Sequence, residues 1–123
     1  DVALARARYA ASLAITRRTG GREWISQTLQ GLAALAAAQG QPARALRLAG
    51  ASARQHEHRA SGPAPLRADE IERPRALARA MLNEATAAAA WEAGRAMTVD
   101  QAIEYALQKD AEPDARSMRI KEA

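Results

Sequence analysis

Glycine and proline cut this chain into helix-length pieces, and that punctuation constrains the fold more than any other feature of the sequence. The breaks are Gly20-Gly21, Gly40 just ahead of Pro42, and Ser61-Gly62-Pro63-Ala64-Pro65. Glycine readily takes the left-handed conformation that ends a helix, and proline suits a first helical residue, where no backbone donor is needed. Alanine and leucine, which lose little side-chain entropy in a helix, fill the stretches between. β-branched residues never alternate over a strand-length run. The expected fold is all-α, with about six helices paired as antiparallel hairpins in one domain.

Hydrophobic spacing predicts each helix in turn. The first runs from Val2 to Thr19 on Val2, Ala5, Tyr9, Ser12 and Leu13, and the second from Arg22 to Gln39 with Trp24, Thr28, Leu32 and Leu35 on one face. The third opens at Pro42, reaches His58, and buries Ala45, Leu46, Leu48, Ala49 and Ser52. Ala33 and Ala36 are small enough to let two helix axes approach closely. A fourth helix spans Leu66 to Leu82, bent near Pro74 or divided at Arg73, with Asn83 as its stop. The fifth covers Glu84 to Ala96 and buries Ala87, Ala88 and Trp91. Thr98 and Gln101 have capping-box spacing, and Val99, Ala102, Ile103, Ala106 and Leu107 form the stripe of a sixth. The organisation expected is a helical domain over 1–108, made of a repeat part (1–60), a loop (61–65) and C-terminal helices (66–108), followed by a flexible polar tail over 109–123.

Charge and chemistry narrow the function classes. Cysteine is absent, which removes disulfides, thiolate metal sites and cysteine nucleophiles, and fits a cytoplasmic protein. No apolar run reaches the roughly 18 residues of a membrane span. The net charge of +4 raises nucleic-acid binding through Arg6, Arg8, Arg17, Arg18 and Arg22 as an alternative function. Acids interleave from Glu57 onward, however, and a solvated arginine face is the plainer reading. His56 and His58 stand two apart, which places their rings on different helix sides, so no metal is expected. Thr19-Gly20-Gly21-Arg22 lacks the lysine and the preceding strand of a phosphate loop. Asp69, Glu70 and Glu72 suit the positive end of a helix. Trp24 and Trp91 read as core anchors. None of Ser12, Ser26, Ser52, Ser61 and Ser117 has a histidine partner at a helical offset. No cofactor and no catalytic constellation are expected.

Two sets of residues carry a family resemblance. Ala5, Tyr9 and Ser12 are spaced like Ala45, Ala49 and Ser52 forty residues on, and Leu29, Leu32, Ala33, Ala36, Gly40 and Ala45 have the spacing of a tetratricopeptide unit. Further along, Leu82-Asn83-Glu84 through Trp91-Glu92-Ala93-Gly94-Arg95-Ala96-Met97-Thr98, then Asp100 to Leu107, is similar to a recurring segment of bacterial regulators. In those proteins it closes the tetratricopeptide region of a STAND-type signal-transduction ATPase, often joined to a LuxR-type or SARP-type DNA-binding domain or to a nucleotide cyclase domain. Leu46-Arg47-Leu48-Ala49-Gly50-Ala51 resembles the same group. The chain departs from the pattern at Thr86, where an aromatic is usual, and at Pro74.

The resemblance implies a tetratricopeptide-like α-solenoid that contacts a protein partner, an effector or other domains of a parent regulator, and performs no catalysis itself. In such arrays the first helix of each repeat lines the concave side, which here is the second helix. Its polar side offers Glu23, Gln27 and Gln30 as partner-binding residues, while Ala34, Ala37 and Ala38 offer no donor. An open repeat end before Asp1 makes homodimerisation through that end a further expectation.

Overall fold

A computed structural model of the protein describes residues 2–20, 24–57 and 68–108, with the side chains of 68–70 excepted. Six helices and no strand occur among them: α1 (Val2–Thr19), α2 (Ile25–Ala38), α3 (Pro42–Glu57), α4 (Ala68–Ala80), α5 (Glu84–Arg95) and α6 (Val99–Leu107). The loop expected over 61–65 and the tail expected over 109–123 lie outside the described residues.

The helix ends follow from the punctuation. Gly20 has φ +76° and donates its N–H to the Thr16 carbonyl at 2.8 Å, ending α1 in a left-handed cap. At the end of α2, Gly40 has φ +75°. Its N–H bonds the Ala37 carbonyl at 3.2 Å, and the Gln41 N–H bonds the Ala36 carbonyl at 2.9 Å, which together form a Schellman turn. Pro42 then begins α3 as its first helical residue. Thr98 and Gln101 form the expected capping box, with bonds of 2.9 and 3.1 Å. Asn83 does not stop α4. It caps α5 instead, its Oδ1 accepting the Thr86 N–H at 2.8 Å, a role its extended backbone allows and a left-handed one would not. Pro74 neither divides nor ends α4, which runs through it as one element.

α3 is the centre of the molecule. It packs on α2, α4, α5 and α6, while α1 lies against α2 and α6. Ala45, Leu46, Leu48, Ala49 and Ser52 are buried as their spacing implies, but Arg44, Gly50 and Ala51 are buried too, because α3 is enclosed on more than one side. The Ser52 hydroxyl donates to the Ser26 carbonyl at 2.6 Å, a buried bond between α3 and α2.

The contact between α3 and α5 rests on two glycines. A β-carbon on Gly94 would overlap the Arg47 carbonyl oxygen and stand 2.9 Å from the Arg47 Cα. One on Gly50 would overlap the Trp91 carbonyl oxygen and stand 3.1 Å from the Arg95 N. Residue 47 therefore faces 94 and residue 50 faces 91, so the two helices run in opposite directions, backbone against backbone. This approach explains why α5 buries Ala87, Ala90 and Gly94, whereas Ala88, expected inside, is exposed. Glycine in a helix interior normally costs about 1 kcal/mol relative to alanine. Here the sign is reversed: Gly50→Ala and Gly94→Ala should each lower stability by about 1–3 kcal/mol through overpacking. Urea denaturation would check this, and an unchanged or raised midpoint would mean that the crossing is not tight.

Candidate interaction surface

Of the three residues expected to line a concave groove, two are described, and neither is exposed. Glu23 lies outside the described residues, Gln27 is half-buried, and Gln30 is only 5% exposed. Both glutamines are engaged within the chain. The physical reason is that α2 is packed by α1, α3 and α4, which leave no whole face of it to solvent. On the side nearest α1, the Tyr9 ring lies over Gly31, where a β-carbon would stand 2.6 Å from the phenol oxygen. Trp24 is the opposite case. Expected as a core anchor, it is 58% exposed, because it precedes α2 at the N-cap position, where its carbonyl accepts from the N–H and hydroxyl of Thr28. Trp91 does pack against the core, half-buried, with the Arg75 guanidinium 3.7 Å above its ring centroid.

The largest exposed apolar residues gather partly on α1. Leu4 and Ile15 are 49% and 51% exposed, and Leu13 is the one α1 residue fully buried. The large apolar residues of α1 thus lie on two opposite sides, one inward and one outward, a distribution that suits a helix covered on both. Grooves open at two further places among the described residues. One, of about 610 Å³, lies between α4 and α5 and is lined by Arg75, Arg79, Trp91, Glu84 and Glu92 over Leu46. The other, of about 410 Å³, runs between α1, the end of α2 and the end of α6, and is lined by Arg6, Leu35, Gln39 and Leu107.

Several polar contacts that sequence spacing did not indicate hold these surfaces in place. Arg44, 8% exposed, donates through Nη2 to the Ala106 and Gln108 carbonyls at 3.0 and 3.1 Å. A guanidinium there meets the negative end of α6 and satisfies carbonyls that the helix itself leaves without donors. The Tyr105 ring lies 5.0 Å from the Arg44 guanidinium, and its hydroxyl accepts from Arg47 at 3.2 Å. Glu57, at the end of α3, takes Arg95 in a two-pronged pair at 2.8 and 3.0 Å. That hydrogen bond, and then the charge of Glu57, raise the Arg95 pKa above its ordinary value. Arg95 also accepts, through its carbonyl, from Arg54 at 3.0 Å. Nothing in the local pattern around Arg44 marks it out, since the carbonyls it holds lie 62 and 64 residues away in sequence.

The remaining candidates resolve simply. His56 is exposed and His58 lies outside the described residues, among which no group of three potential metal ligands occurs. Glu72 stands 3.8 Å from Arg75 one turn on. Ser52 and Ser26 serve the bond between α2 and α3. Among the described residues no helix is long and apolar enough to cross a membrane.

Arg44→Met should lower stability by about 1.5–3 kcal/mol, the range for hydrogen bonds from a charged donor, whereas Tyr105→Phe, which keeps the ring, should cost about 1 kcal/mol or less. Thermal melting of both variants separates these values. Gln30→Ala should likewise lower the melting temperature; an unchanged melt would show that its side chain contributes nothing to the packing. No family model, curated protein or solved structure matches this chain.

Proposed function

We propose that this chain is a non-catalytic, helical-repeat interaction module of a larger bacterial signalling or transcriptional regulator, working in the cytoplasm through contact with a protein partner or with other domains of its parent. The observation that carries this reading is α1, a helix that buries Leu13 on one side and leaves Leu4 and Ile15 outward on the other. Such a face is suited to cover by another helix.

The tetratricopeptide-like arrangement belongs to the same proposal. α2 and α3 form its helix hairpin around the Schellman turn at Gly40, with the Ser52–Ser26 bond between them. α1 stands as the second helix of a preceding unit, in keeping with the forty-residue offset between Ala5-Tyr9-Ser12 and Ala45-Ala49-Ser52. α4 to α6 close the array. A partner that binds one packing of these helices better than another shifts the population between them, and so biases an ATPase elsewhere in the parent. A partner that contacts both packings equally shifts nothing.

The reading frame upstream of Asp1 tests this directly. A Gly-x-x-x-x-Gly-Lys-Ser/Thr segment followed by further helix pairs is expected, together with an ATP turnover of the parent that stops responding to its effector when 1–108 is deleted. A start codon immediately before Asp1, or an unchanged response after the deletion, would remove the regulator reading.

A further inference from the structure

α1 carries four arginines, and the chain itself uses two of them. Arg6 donates to the Gln39 side chain, and Arg17 reaches the Glu104 carboxylate at 3.9 Å. Arg8 and Arg18 are exposed and have no hydrogen bond or ion pair among the described residues. They share one stripe with the outward apolar residues: Leu4, Arg8, Ala11, Ile15 and Arg18 follow at i, i+4, i+7, i+11 and i+14, and all five are exposed. Residues at that period line a single side of a helix. At 1.5 Å per residue, the two arginine positions are about 15 Å apart along the axis. No acidic residue lies anywhere on α1.

We propose that this stripe docks an acidic amphipathic helix of a separate partner protein, one whose apolar side is flanked by glutamate or aspartate about three helical turns apart. The inference deepens the interaction reading above and rests on it. Leu4, Ala11 and Ile15 supply the apolar contact, as in other helix-on-helix recognition. Carboxylates beside Arg8 and Arg18 supply orientation and partner choice, which is what interfacial charge does best. A second copy of α1 is the poorer occupant. In an antiparallel pairing centred on Ala11, Arg18 of one chain falls against the Leu4 end of the other, and neither helix brings an acid to meet it.

The test uses the full chain and two fluorescein-labelled, 18-residue helical peptides with the same leucine stripe, one flanked by glutamates and one by lysines. Fluorescence anisotropy should show the glutamate peptide binding at least tenfold more tightly, with an affinity that falls as salt rises. The double reversal Arg8→Glu with Arg18→Glu should exchange the preference between the peptides, and Ile15→Ser should weaken the glutamate peptide severalfold. These positions are exposed, so circular dichroism should show unaltered helix content and melting in each variant. Equal affinity for the two peptides, or no binding of either at 100 µM, overturns the proposal. So does tighter binding of a DNA duplex than of the glutamate peptide, or a dimer in sedimentation equilibrium that Ile15→Ser dissociates. A parent whose effector response depends on 1–108 while the glutamate peptide fails to bind would sink this inference alone and leave the interaction reading standing.

Discussion

The arrangement of this protein depends on two helices touching through their backbones. Gly50 on α3 and Gly94 on α5 each give way to a carbonyl of the other helix, so the two axes come closer than any side chain would permit. At that separation small residues suffice to fill the space, which is how a chain without phenylalanine builds a core largely from alanine. Each alanine buries little area, so close approach and dispersion contacts must substitute for bulk. Because α3 also carries α2, α4 and α6, the position of every helix but α1 is referred to this crossing.

Polar contacts lock the positions that small side chains leave loosely specified. Arg44 reaches the end of α6, Glu57 holds Arg95, and Arg75 lies over Trp91. All three join distant parts of the chain, and two of them start from α3. Exposed ion pairs contribute little stability on their own. Their use here is directional: alanine faces can slide past one another with little change in contact, whereas a two-pronged guanidinium–carboxylate pair has one geometry.

Most of the helix map was legible in the sequence because it rests on local rules. The left-handed glycines at 20 and 40, Pro42 at a helix start and the Thr98–Gln101 box are determined by residues within one turn of each other. Asn83 was misread because asparagine suits both a helix stop and a helix start, and only its extended backbone decides between them. The buried side of α5 was placed one residue off at Ala88, since the pattern of a helix made mostly of alanine does not distinguish its faces. Trp24 and Gln30 exchanged the places expected of them, the aromatic outside and the amide inside. Periodicity reports which residues share a face, but which neighbours cover that face is a tertiary property. The segments Leu46 to Ala51 and Trp91 to Thr98 were both conspicuous in the sequence. That they hold the two sides of one contact became apparent only in three dimensions.

The grip of Arg44 on α6 has a mechanical corollary. The carbonyls it holds, those of Ala106 and Gln108, lie at the C-terminal end of α6. A pull on the polypeptide beyond that point would load the guanidinium before it could peel α6 away, and the load would pass straight into α3. A load applied beyond α6 is thus geared to the middle of the bundle rather than to the shortest of the described helices.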